Sequence, residues 1–191
     1  MTQVIGGFAA LELHPNILAA VIATGYEEPS AIQAMSIPVI LAGDDMIGQA
    51  QTGTGKTAAF ALPILSRIDP AKREPQALIL APTRELALQV ASAFETYAKQ
   101  MPGVNVIAVY GGAPMGPQLK AIRNGAQIIV ATPGRLVDHM RRDEKVLSTV
   151  RHLVLDEADE MLKLGFMDDL EVIFKGIPAE RQTVLFSATL P

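Results

Sequence analysis

Cysteine is absent from the 191 residues, so neither a disulfide framework nor a thiolate metal site can be built, and the redox compartment stays open. Long apolar runs are missing too. The longest fall far short of the ~20 residues that cross a bilayer, and the opening "MTQVIGGFAALELHPN" lacks the basic stretch and apolar run of a secretory signal. A cytoplasmic protein with no membrane partner is the simplest reading. No repeat, low-complexity tract or internal linker interrupts the chain. His14, His139 and His152 lie far apart in no metal-ligand pattern, and read as surface or internally satisfied side chains. What is present fits an ordinary globular protein. With 49% hydrophobic and 19% charged residues, residues 1–191 are expected to form a single domain with a full core.

Net charge is −4, but it is unevenly spread. Residues 1–70 carry 2 basic and 6 acidic side chains, residues 71–142 carry 9 and 4, and residues 143–191 carry 5 and 10. The basic middle is either a local phosphate-binding surface or a set of charges on solvated helix faces.

Six short apolar runs read as strands covered on both faces: 45–50, 77–82, 104–111, 126–133, 152–158 and 183–189. Helical patterns lie between them, notably 83–100, 115–125 with a glycine cap, and an amphipathic stretch over 161–174. This alternation predicts an α/β fold with a mostly parallel central sheet and helices on both faces, whose ligands sit beyond the carboxyl ends of the strands.

One strand runs into "MIGQAQTGTGKTAAF" (46–60), close to the phosphate-loop pattern G-x-x-x-x-G-K-[ST]. Gly55, Lys56 and Thr57 fit, while Ala50 replaces the first glycine, which is acceptable only if φ there is negative. Backbone N–H groups from Thr52 through Gly53, Thr54 and Gly55 to Thr57 would wrap phosphates at a helix N-terminus. Lys56 would reach the β- and γ-phosphates and the Thr57 hydroxyl a Mg²⁺ ion. "HLVLDEADEML" delivers Asp156 and Glu157 at a strand end, suited to holding that ion through its water shell and to activating a water. Taken alone, the same acidic pair could open a helix.

These segments, with "PTRELALQ" (82–89), "GG" (111–112), "TPGR" (132–135) and "SAT" (187–189), stand in the order seen in DEAD-box RNA helicases. The chain resembles the N-terminal RecA-like domain of that family, bacterial type, over nearly its whole length. Ala50 then looks like a family mark. The resemblance implies ATP and Mg²⁺ as cofactors, with Gln51 joining the phosphate loop. It implies that "GYEEPSAIQ" (25–33) is the adenine-reading segment, with Phe8, Tyr26 and Gln33 at the base; Ser30 stands where threonine is common. It implies sequence-independent binding of single-stranded RNA through Pro82, Thr83, Arg84, Gly111, Gly112, Thr132, Pro133, Gly134 and Arg135. Ser187 and Thr189 would couple the nucleotide state to closure on a second RecA-like domain. "FSATLP" at the end of the chain looks like the cut edge of something longer, and the piece alone is expected to be a nearly inactive monomer.

Bland readings remain beside these. Thr83 and Thr132 are also plausible helix N-caps, and Arg84 could pair with an acidic neighbour. Aromatic stacking platforms for bases are not evident. A DNA-acting relative and a non-catalytic nucleotide-gated module are the competing functions.

Overall fold

Six apolar runs become six strands in the computed structural model, which describes residues 7–26 and 28–190. Residues 1–6, Glu27 within the 25–33 segment, and Pro191 lie outside the described residues. The strands are β1 (Met46–Gln49), β2 (Ala77–Leu80), β3 (Val106–Val109), β4 (Ile128–Ala131), β5 (His152–Leu155) and β6 (Gln182–Ser187). They pair in the order β1-β6-β5-β2-β4-β3, and every pairing is parallel. After a short 3-10 turn at Gly7–Leu11 come α1 (Pro15–Ala23), α2 (Ala31–Leu41), α3 (Lys56–Arg67) and α4 (Arg84–Ala98). The remaining helices are α5 (Met115–Arg123), α6 (Pro133–Arg142), α7 (Ala158–Lys163) and α8 (Met167–Gly176).

The period-2 alternation of the strands divides the core. Ala77 and Ile79 of β2 face one apolar cluster with α1, α3 and α4, while Leu78 and Leu80 face the other with α6, α7 and α8. Backbone pairing continues past the strand ends, through Ala50 N to Ser187 O (3.0 Å), Ala81 N to Ala131 O (2.9 Å), Thr132 N to Val109 O (2.9 Å) and Asp156 N to Leu80 O (2.9 Å). The loops that follow therefore leave from fixed positions. Across the carboxyl edge, the segments after β1, β6 and β5 carry the phosphate loop, "SAT" and the Asp156–Glu157 pair. Those after β2, β4 and β3 carry "PTR", "TPGR" and "GG".

The structure corrects the single amphipathic helix expected over 161–174. α7 ends at Lys163 and α8 starts at Met167, because Gly165 turns the chain with φ +82°. The basic middle also resolves. Lys99, Arg123, Arg141 and Arg142 stand at or beside helix C-termini, where cations suit the helix dipole, and Lys72 and Arg73 lie in the loop before β2. Arg84 and Arg135, by contrast, occupy first turns after strands.

Candidate active site

Ala50 is buried and has negative φ, since Glu12 and Glu157 are the only non-glycine residues with positive φ among the described residues. Alanine thus costs nothing where the general pattern has glycine, and its methyl joins the core. The two glycines that need the left-handed region are Gly53 (φ +85°) and Gly55 (φ +79°). Gly55 is the N-cap of α3, so the loop delivers Lys56 and Thr57 as the first residues of the helix.

Lys56 is buried, and its Nζ lies 2.8 Å from Asp156 Oδ1 and 3.7 Å from Glu157 Oε1. Asp156 is fully buried, and its Oδ2 has no hydrogen-bond partner among the described residues. Burial pushes its carboxyl above the ordinary carboxylate value, against the pull of the Lys56 ammonium. An orphaned, buried carboxylate oxygen beside a phosphate loop suits a divalent cation, so Asp156 and Thr57 fit the Mg²⁺ that such loops use. Glu157 adopts φ 55°, ψ 54°, a left-handed conformation costly for a glutamate, and Thr52 Oγ1 donates to its Oε1 at 3.4 Å.

A cavity of about 250 Å³ opens beside this cluster, lined by Tyr26, Gln33, Thr52, Gly53, Gly55, Lys56, Thr57 and Glu157. Gln33 is held in a capping box at the start of α2: its Oε1 accepts from Ser30 N at 2.9 Å and its N–H donates to Ser30 Oγ at 3.4 Å. Its Nε2 donates to Gly55 O at 3.0 Å, tying the segment to the phosphate loop. One amide hydrogen and one carbonyl lone pair remain, as an adenine edge requires. Three sequence-predicted residues do not line the cavity. Gln51 and Thr54 are exposed beside a neighbouring groove, Thr54 Oγ1 donating to Gln51 O at 2.7 Å. Phe8 is buried in the core, its ring 6.4 Å from that of Tyr26. Leu86, Gln89 and Tyr97 of α4 also line the cavity, and no sequence motif had marked them for it. Burial, then the nearby Tyr26, push the Tyr97 hydroxyl up to about 12, so it remains a donor.

On the other half of the edge, Arg84 makes no ion pair among the described residues and lies instead 4.8 Å from the centre of the Tyr110 ring. Thr83 caps α4, accepting from Leu86 N at 3.2 Å, and its hydroxyl proton is still free to donate. Thr132 stands at the N-cap of α6 without a side-chain cap bond, and Pro133 fills the first helical position. Pro82 is buried beneath this edge. Gly111 and Gly112 are exposed, and a Cβ on Gly111 would meet nothing within 4 Å. Arg135 donates from Nη1 to Ala113 O at 2.7 Å and Gln118 Oε1 at 3.2 Å. Gly134 beside it is half-buried, and a Cβ there would come within 3.9 Å of Asp169 Oδ2.

The DEAD/DEAH box helicase family model matches residues 30–191. The chain belongs to that family. It is 55% identical to the ATP-dependent RNA helicase DeaD of Mycobacterium tuberculosis and 56% to that of Escherichia coli, each over 96% of this chain. It spans about a third of the length of these curated relatives, 33% and 29% respectively. The crystal structure of a DEAD box protein from Methanococcus jannaschii superimposes with a TM-score of 0.92 and 42% identity, over 97% of this chain and 50% of that one.

In this DEAD-box chain the motif's last aspartate reaches the "SAT" segment. Asp159 Oδ2 accepts from Thr189 Oγ1 at 3.0 Å and Thr189 N at 3.3 Å, and Ser187 Oγ donates to Thr189 O at 2.6 Å. Desolvation pushes the Asp159 carboxyl up, but the hydrogen bonds it accepts, those from Thr189 above all, outweigh it and hold the group below its ordinary value. His139 and His152 are both buried. His152 Nδ1 pairs with Gln182 Oε1 at 3.0 Å, whereas His139 is satisfied only at Nε2, its Nδ1 having no partner among the described residues.

Proposed function

We propose that this chain is the N-terminal RecA-like domain of an ATP-dependent RNA helicase, which binds ATP with Mg²⁺ and single-stranded RNA backbone. With a second RecA-like domain it would couple ATP hydrolysis to local unwinding of RNA duplexes. The observation that carries this reading is the division of one sheet edge: Lys56, Asp156 and Glu157 on one half, and Arg84, the glycine pair and Arg135 on the other.

Each residue has a task on this reading. Gln33 presents its remaining donor and acceptor to adenine, with Tyr26 beside it. The N–H groups of the 52–57 loop and the Lys56 ammonium take the β- and γ-phosphates, Lys56 exchanging the Asp156 carboxylate for a phosphate oxygen. Thr57 and Asp156 would hold Mg²⁺, partly through water; when bound, it neutralises charge on the phosphates. Glu157, steadied by Thr52, orients the attacking water and takes its proton. Thr189 reports on this cluster through Asp159. Arg84, Arg135 and the hydroxyls of Thr83 and Thr132 meet phosphates and 2′-OH groups, contacts that carry no base sequence.

The test is nucleotide binding by this chain, ADP against GDP with Mg²⁺, for the unmodified chain and Gln33→Ala. Preference for ADP that the substitution removes supports the adenine pocket; equal affinities, unchanged by the substitution, leave a phosphate-loop protein without a base preference. In the two-domain protein, ATPase stimulation by RNA and not by DNA separates this reading from that of a DNA-acting relative.

A further inference from the structure

Two of the segments read as RNA contacts meet at a buried amide that no motif includes, and the third packs on the tyrosine whose carbonyl that amide holds. Gln118 lies on α5 and is buried. Its Nε2 donates to Tyr110 O at 3.0 Å, directly before Gly111. Its Oε1 accepts from Arg135 Nη1 at 3.2 Å and from His139 Nε2 at 3.1 Å. The orientation of this amide is forced, because flipping it would set its N–H groups against the Arg135 guanidinium, which can only donate, and its oxygen against the Tyr110 carbonyl. Since Oε1 can only accept, His139 carries its proton on Nε2. Burial first, then Arg135 and Arg142, hold the ring's pKa below the ordinary histidine value, in keeping with a neutral imidazole. Arg135 Nη1 is further fixed by Ala113 O at 2.7 Å, just past the glycine pair, so its other guanidinium donors stay free and their plane is set. Tyr110, whose carbonyl Gln118 holds, also carries Arg84 over its ring at 4.8 Å, and Arg84 Nη1 passes 3.7 Å from where a Cβ on Gly112 would stand.

We propose that Gln118, backed by His139, is a positioning residue that sets the spacing of Arg84, the Gly111–Gly112 backbone and Arg135 to match successive phosphates of one RNA strand. This rests on the RNA reading given above. Neither Gln118 nor His139 touches RNA on this account. Their effect is to make the three contacts simultaneous, so that one strand meets a preformed set of donors.

The test uses the full-length two-domain protein carrying Gln118→Met, which keeps the volume but loses all three hydrogen bonds, and Gln118→Asn, which keeps the amide but falls short by one methylene. ADP affinity serves as the control for folding, because the nucleotide cavity lies on the other half of the sheet edge. RNA affinity, measured over a salt series with a non-hydrolysable ATP analogue, should weaken about tenfold in either variant, the worth of one charge-assisted hydrogen bond. The slope of log affinity against log salt should fall by about one, as for a lost phosphate contact. The RNA concentration for half-maximal ATPase should rise, with turnover at saturating RNA nearly unchanged. Should either variant bind ADP normally and also bind RNA with unchanged affinity and salt slope, the positioning role is overturned. Arg84→Ala and Arg135→Ala separate the two failures. If they weaken RNA binding and the Gln118 variants do not, this inference alone fails; if they also leave it unchanged, the RNA reading fails with it.

Discussion

Lys56 and Asp156 form a buried pair in which each charge is tolerable because of the other, and this gives their substitutions opposite uses. Removing one partner of such a pair leaves an uncompensated buried charge, which typically costs about 3–5 kcal/mol. Lys56→Met therefore destabilises the chain at neutral pH by about 3 kcal/mol while removing the phosphate contact. The pH dependence follows from Asp156, whose folded pKa lies above its unfolded value. A raised carboxyl pKa contributes stability below the unfolded value that is lost as pH rises towards the folded value. Losing the ammonium raises it further, so the gap between the unmodified chain and Lys56→Met should open as pH passes the folded value of the unmodified chain, above the ordinary carboxylate range, and level off above that of the variant. Urea unfolding at pH 4.5 and 7.5 measures this, and a gap independent of pH would mean that Asp156 is not ionised beside Lys56. Glu157 differs: it is partly exposed and pairs only loosely with Lys56 at 3.7 Å. Glu157→Gln should leave ATP bound and lower turnover of the two-domain protein by about 10²–10⁴-fold, the usual worth of a general base. Retained turnover would favour a module in which the nucleotide only gates partner binding.

At the scale of elements, the junctions decide where each side chain points. Gly165 separates α7 from α8 at φ +82°, and a Cβ there would meet nothing within 4 Å. Gly165→Ala thus tests backbone conformation alone, and should lower stability by about 1–2 kcal/mol without altering nucleotide affinity. Denaturant midpoints with ADP titration measure both. A larger loss, with ADP binding impaired, would mean that this turn holds the DEAD segment in place. That turn also marks a limit of sequence reading. The apolar spacing of 161–174 continues across it, so periodicity alone predicts one helix, and the break lies in a single glycine whose φ no pattern reveals. The strands were legible because each is a short apolar run, buried on both faces in β2, β4 and β5, and their carboxyl ends carry the motifs. The adenine role expected of Gln33 came from the family resemblance, and what the structure adds is that its amide pairs with Ser30 and Gly55. Gln118 and Tyr97 were not legible, because a polar residue inside an amphipathic helix reads the same whether it meets solvent or a neighbouring loop, and Gln89, although within "PTRELALQ", was not marked for the cavity.

For the whole molecule, the sheet edge presents both half-sites to the same side, and the two are joined within this chain by packed elements. α4 carries Arg84 at its first residue, while its Leu86, Gln89 and Tyr97 line the cavity beside Lys56. The DEAD segment is tied to Thr189 at the exposed end of β6. Nothing among the described residues supplies a cationic side chain to the cavity other than Lys56. In related phosphoryl transfer a second cation, an arginine finger, is worth about 10³–10⁵ in rate. The 191-residue chain alone should therefore bind ADP measurably but hydrolyse ATP at a rate below that of the two-domain protein by about that factor, with no stimulation by RNA. Steady-state ATPase of both proteins, with and without single-stranded RNA, measures it. Robust RNA-stimulated turnover by the short chain would place the whole catalytic apparatus on this one sheet edge, and would require one of its own arginines, Arg84 or Arg135, to reach the γ-phosphate.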